Sequence, residues 1–183
     1  YLQRVGGRNP INLTPDSPAA DTAPAFSPDG ERIAFRSERD GGGLFVMGAT
    51  GESVRRVTDA GFDPSWSPDG RRLVYATEEG FDPVSRDGNS ELWIVEVDSG
   101  GKTLLSSGDA VQPVWSRQGD RIAYWANTQG QRDLWTVAAA GGEPVVVTRD
   151  AATDWSPEWS PDGRWLHFAS DRGGSYNLWR VEI

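Results

Sequence analysis

Ser27-Pro28-Asp29-Gly30 returns as Ser67-Pro68-Asp69-Gly70 and as Ser160-Pro161-Asp162-Gly163, with a degraded copy at Ser116-Arg117-Gln118-Gly119. An aromatic residue stands before each serine: Phe26, Trp66, Trp115 and Trp159. Steps of 40, 49 and 44 residues separate the serines at 27, 67, 116 and 160. Self-similarity at about 40–45 residues with strand-like content is the signature of propeller blades. The motif itself is a turn. Proline pre-sets φ, aspartate bonds nearby backbone, and glycine accepts a positive φ.

One copy reads outward from that turn. Pro24 to Ser27 is a first strand, Arg32 to Arg36 alternates as a second, Leu44 to Met47 is a third, and Val54 to Thr58 a fourth. Four antiparallel strands make one blade. The second strands of the other copies are Arg72 to Ala76, Arg121 to Trp125 and Trp165 to Ala169, and their third strands centre on Trp93, Trp135 and Trp179. Three positions per copy are aromatic throughout: Phe26, Trp66, Trp115, Trp159; Phe35, Tyr75, Tyr124, Phe168; and Phe45, Trp93, Trp135, Trp179. They account for twelve of the nineteen aromatics and read as packing between blades. The abundance of tryptophan is therefore structural and not a sugar platform.

The fold class expected is all-β, a propeller of four-stranded blades in four repeats. The blades run over 15–58, 59–105, 106–148 and 149–183, after a tail of a preceding blade at 1–14. Tyr1 to Val5 matches a third strand and Pro10 to Thr14 a fourth, and no signal-peptide pattern is visible there. Repeat four has no fourth strand of its own, so Ile11 to Thr14 could close it into a tight four-bladed ring. The favoured alternative is a segment of a ring of about six to eight blades, whose open edges would self-associate.

Composition narrows the function. There is no cysteine, which excludes disulfides and thiolate metal sites. Net charge is −9, with basic residues scattered singly, which speaks against a nucleic-acid partner. No long uncharged apolar run is available to insert into a membrane. Catalytic constellations are missing too. The single histidine, His167, shares a strand face with Ala34, Val74 and Ala123. Gly173-Gly174-Ser175-Tyr176-Asn177 lacks the last glycine of a nucleophile elbow. No kinase loop signature occurs. Asp82, Asp87, Asn89 and Glu91 offer oxygen ligands for calcium, but at a spacing unlike an EF-hand. They read as solvated acids, so no metal and no cofactor is expected.

What packing does not use points to one face. Phe62 and Trp155 lie in connections between blades, Phe81 and Tyr176 in connections between second and third strands, and Trp125 borders one. In an up-and-down blade both kinds of connection emerge on the same side. The one large insertion, Thr77 to Ser90, lies there as well, and insertions on one face of a repeat array often mark its binding face. Acidic residues join them. Phe62, Phe81, Trp125, Trp155, Tyr176, Asp63, Asp109 and Asp154 form the expected binding surface for a protein or peptide.

An aromatic followed by Ser-Pro-Asp-Gly, then Ile-Ala-Phe, Leu-Trp-Val and a terminal Val-Thr, resembles the TolB-type, WD40-like propeller repeat over nearly the whole chain. Repeat three departs from it at Arg117-Gln118. The resemblance implies an interaction scaffold without catalysis of its own, in a bacterial periplasm or another extracytoplasmic setting. It also covers propellers that serve larger enzymes. Val5 to Pro10 and Ala139 to Pro144 look most like repeats attached to bacterial serine/threonine kinases, and prolyl-oligopeptidase-like peptidases carry such a propeller too.

Overall fold

The computed structural model describes residues 2–3, 9–80, 83, 86 and 88–183. Fifteen strands form four antiparallel sheets, each an up-and-down meander. Blade one holds β1 (Asp21–Phe26), β2 (Arg32–Ser37), β3 (Gly43–Gly48) and β4 (Arg55–Arg56). Blade two holds β5 (Phe62–Trp66), β6 (Arg72–Ala76), β7 (Leu92–Glu96) and β8 (Lys102–Ser106). Blade three holds β9 (Val111–Trp115), β10 (Arg121–Thr128), β11 (Gln131–Ala138) and β12 (Val145–Val146). Blade four has three strands: β13 (Asp154–Trp159), β14 (Trp165–Ser170) and β15 (Asn177–Glu182). Apart from one short 3-10 turn at Arg39–Gly41, no helix interrupts the described residues. The all-β propeller expected from the repeat is what forms.

The recurring turn closes through its side chains. Ser27 Oγ donates to Asp29 Oδ1 at 2.6 Å and accepts the Arg32 N–H at 2.9 Å, while Asp29 Oδ1 also accepts the Glu31 N–H at 3.0 Å. Ser67 and Ser160 repeat the arrangement with Asp69 and Asp162. The degraded third copy keeps it by another route. Ser116 Oγ still receives the Arg121 N–H at 3.1 Å, and its own proton goes to Asp120 at 2.8 Å. The acid has moved two places along the chain and the corner survives.

Blades pack through the tryptophan that ends the first strand of blades two, three and four. Trp66 Nε1 donates to the Ala25 carbonyl of the preceding blade, and Trp159 Nε1 to that of Val114, both at 3.0 Å. Arg32 and Arg72 stack over Trp66 and Trp115 at 4.8 and 4.9 Å from the ring centroids. Rings of this size bury about 150–250 Å², worth about 4–6 kcal/mol each at about 25 cal/mol per Å². The ends of the array show what happens without a neighbour. Phe26, the counterpart of these tryptophans, is 53% exposed, and Leu178 is 78% exposed where Leu44, Leu92 and Leu134 are fully buried.

The N-terminal segment does not complete blade four, as the closed-ring alternative required. Ile11 pairs with Leu2 in an isolated antiparallel bridge, and Leu13 packs onto Ile33, Phe35, Phe45 and Met47 of blade one. The fourth strand of blade one, expected over Val54 to Thr58, keeps only Arg55–Arg56 in the ladder.

Candidate functional site

Each first strand carries one proline, and the residue before it has the same unusual backbone. Ala23, Asp63, Gln112 and Ser156 have φ of 48°, 49°, 48° and 50° and precede Pro24, Pro64, Pro113 and Pro157. A residue before proline is normally extended, and a left-handed non-glycine costs about 1–2 kcal/mol. The conformation nevertheless occurs four times. Each instance coincides with a register shift between the first and second strands, so each is a β-bulge. The bulge falls on the first strand's free edge, where a proline removes no ladder donor.

The four first strands line one open concavity of about 860 Å³, bounded by Ala23, Asp63, Gln112 and Ser156 and by the Ser-Pro corners at Pro28, Pro68 and Arg117. Its volume lies within the range of small-ligand and peptide pockets. One backbone device therefore presents four different side chains to one space. Gln112 is held in place: its Oε1 accepts Trp125 Nε1 at 2.8 Å and Ser156 Oγ at 3.2 Å. Asp63 is held less completely. It accepts the Gly80 N–H, but one carboxylate oxygen is buried with no partner. Burial pushes its carboxyl above the ordinary range, and nearby Glu79 adds to the effect.

The insertion approaches this space from the side. A Cβ on Gly80 would stand 2.8 Å from Gln112 Cγ and 3.0 Å from Val111 Cβ, so only glycine permits the contact with β9. Arg86 fastens the same segment to blade three. Its guanidinium bonds Asp109 and Glu78, and its carbonyl receives Asn127 Nδ2 at 3.1 Å.

The expected binding surface divides accordingly. Phe62 and Asp63 are neighbours on β5, with Arg36 stacked over the Phe62 ring at 4.8 Å. Trp155 and the half-exposed Tyr176 meet edge-on, 6.2 Å apart. Trp125 has to be removed from the surface. It is completely buried because β10 continues through Thr128, beyond the expected end at Trp125, and its indole N–H is taken by Gln112. Asp154 is removed as well, being fully buried and paired with Arg172 at 2.7 Å. Asp109 is committed to Arg86 and to the N–H groups of Ser90 and Asn127 at 3.1 and 2.7 Å. Phe81, Asp82 and Asp87 lie outside the described residues. Of the remaining calcium candidates, Glu91 is engaged by Trp93 Nε1 at 2.8 Å. Among the described residues no group of three acids or histidines is placed to hold a metal.

Two features had a signal in the sequence that spacing arguments passed over. Gln112 and Ser156 are marked by a proline two places before each first-strand aromatic. The clamp on Asp154 is marked by Ser170-Asp171-Arg172, which repeats Ser37-Glu38-Arg39. Arg39 grips Asp21 at 2.8 and 2.9 Å and Ser37 Oγ at 2.8 Å, just as Arg172 grips Asp154 and Ser170.

The TolB beta propeller domain model matches residues 62–183. The chain belongs to the TolB β-propeller family. A TolB homologue from Chlorobium chlorochromatii is 31% identical over 148 residues, which cover 78% of this propeller and 32% of that protein. The uncharacterised peptidase YuxL of Bacillus subtilis is also 31% identical, over 93% of the chain and 24% of its own length. The TolB-family propeller superposes on the structure of a putative TolB from Agrobacterium tumefaciens with a TM-score of 0.75 at 24% identity, over 88% of this chain and 61% of that one. It thus spans less than two thirds of each of these relatives. No helix among the described residues is long and apolar enough to cross a membrane.

Proposed function

We propose that this propeller is a non-catalytic interaction module that binds an extended segment of a partner protein in an extracytoplasmic compartment. The observation that carries this reading is the fourfold bulge, which brings Ala23, Asp63, Gln112 and Ser156 to one concavity on a recurring backbone frame. A strained geometry repeated at one position argues for use, since packing alone gives no reason to keep it. Asp63 brings a carboxyl, and Gln112 an amide already fixed in orientation, to the lining that an incoming chain would meet. Phe62 and the Trp155–Tyr176 pair supply apolar contact on the face of the blade-connecting loops. Selection from a random displayed-peptide library, followed by calorimetry on the enriched sequences, tests the reading. Asp63→Ala and Gln112→Ala should each weaken binding about tenfold, or about 1.4 kcal/mol. Enriched peptides that bind both variants with unchanged affinity would overturn it.

The match to a peptidase over 93% of the chain favours a second reading, in which the same propeller regulates a larger enzyme whose catalytic domain lies outside these 183 residues. The concavity would then screen what reaches that domain.

A further inference from the structure

Between blades one and two the rim is closed by the only lysine of the chain. Lys102 Nζ bonds Asp59 Oδ1 at 2.6 Å. The pair stands beside Tyr75, whose hydroxyl is pushed up to about 12 by burial first and then by the Asp59 charge. The next junction has the same frame. Tyr124 and Trp135 pair across the second and third strands of blade three as Tyr75 and Trp93 do in blade two. Gly108 takes the place of Asp59, each three residues before its first strand. Pro144 takes the place of Lys102, each two residues before the partner of the third-strand tryptophan. Glycine and proline cannot form the bridge, and a gap of about 360 Å³ opens with both in its lining. Its walls belong to blades two and three, both complete sheets of four strands, and not to either end of the array.

What remains in the gap fits the missing group. Tyr124 and Ala126 supply buried wall, and Leu105 and Trp135 half-buried wall. Among the described residues no arginine, lysine or histidine lines it, and its acids are Asp109 and Glu143. Asp109 is bonded to Arg86, whereas Glu143 is exposed and has no hydrogen-bond or ion-pair partner among the described residues. An alkyl stem buries along apolar surface while its ammonium reaches a counter-charge, and aromatic rings attract a cation held against them. We propose that the gap between blades two and three receives a lysine side chain from a partner protein, with Tyr124, Trp135 and Leu105 along its stem and Glu143 at its ammonium. The partner supplies from outside the group that Lys102 supplies from within, one junction earlier. The site rests on the reading of the propeller as a partner-binding module. It is separate from the first strands that line the concavity.

Nα-acetyl-lysine N-methylamide, titrated into the isotope-labelled 183-residue chain and followed by two-dimensional NMR, tests this. Shifts should centre on the Trp135 indole and the amides of Leu105 and Glu143, with a dissociation constant of about 1–10 mM. The norleucine analogue, which has the stem without the ammonium, should bind at least about tenfold more weakly. The free diamine cadaverine should bind no more tightly than the lysine amide, because the gap has no second unpaired acid. Glu143→Gln should weaken the lysine amide about three- to tenfold. Gly108→Asp combined with Pro144→Lys rebuilds the internal bridge and should abolish the shifts. A Cβ on Gly108 meets nothing within 4 Å, so the aspartate has room. Melting curves check that both variants are folded. The readout is local to the gap and needs no peptide seated on the first strands, so it stands or falls separately from the concavity. No localised shift up to about 30 mM, shifts centred on the first strands, equal binding of the norleucine analogue, tighter binding of cadaverine, or undiminished binding by the double variant would overturn the proposal.

Discussion

Asp63→Asn should stabilise the fold while impairing what it binds. The carboxylate sits on β5 at φ 49°, accepts the Gly80 N–H and leaves one oxygen buried without a donor. Asparagine has the same shape, tolerates the left-handed region as aspartate does, and can keep the Gly80 bond through its carbonyl. What changes is the desolvated charge. Burying an unpaired charge costs several kcal/mol, and the asparagine NH2 left without a partner in its place costs about 1–3 kcal/mol. Taking about 1–2 kcal/mol as recoverable, the melting temperature should rise by about 2–8 °C for a chain of this size. The sign with pH follows from burial, which raises the folded-state pKa of Asp63. A carboxyl raised on folding favours the folded state below its unfolded pKa, and that advantage is lost as pH rises through the folded value. The variant should therefore match the parent near pH 4 and below, and pull ahead toward neutrality. Calorimetric melts of both proteins between about pH 3.5 and pH 7.5 measure this. A variant less stable at neutral pH, or a difference that does not vary with pH, would mean that a favourable partner offsets the carboxylate, and the reading of Asp63 as an unpaired buried charge would fail.

Three further outcomes separate framework from site. Trp125→Ala should cost about 3–5 kcal/mol as a large-to-small core change, seen as a fall in denaturant midpoint, because the ring is fully buried. Arg172→Ala should cost about 3–5 kcal/mol by stranding a buried charge, since Asp154 is completely enclosed; an exposed pair such as Arg164–Glu182, removed as a control, should change the melting temperature little. The serine hydroxyl first, and then a backbone N–H, hold Asp29, Asp69 and Asp162 below the ordinary carboxylate range. Their contribution is present above about pH 4 and is lost as pH falls through the lowered folded values. Replacing all three with asparagine should flatten the acid limb of the stability–pH curve, and an unchanged limb would assign acid unfolding to other groups.

The fold was legible because its corners are made by side chains. A turn that needs a hydroxyl, a carboxylate and a positive-φ glycine in fixed order leaves that order in the sequence, and the tryptophan beside it marks where blades meet. Even Asp120, out of place by two residues, reaches Ser116. The concavity left a fainter trace. Ala23, Asp63, Gln112 and Ser156 share a backbone conformation and no chemistry, so alignment by residue type passes over them, and only the following proline recurs. Trp125 was misplaced because the alternation of β10 was taken to end at a loop, whereas the strand runs on and Gln112 from a neighbouring strand claims the indole. Asp109 and Asp154 count as acids in a sequence and as halves of clamps in the structure, because their arginines lie 23 and 18 residues away. Spacing shows which residues recur and is silent about which atoms meet.

Repetition in this chain does two separate jobs. At the blade contacts the backbone and the side chains recur together, since every inner blade meets the same kind of neighbour and Leu44, Leu92 and Leu134 answer one packing demand. At the bulges the backbone recurs while the side chains diverge. Packing cannot explain that combination: a position kept only for packing would hold its residue type and relax its strain, and a position without any role would relax both. Holding a costly conformation four times while varying what it carries fits the display surface proposed above, with the propeller as its frame. The outer face of blade four breaks the rule the other way, keeping the cross-strand register and replacing apolar residues with Glu158, His167 and Arg180. Both departures are visible only against the regular background of the repeat.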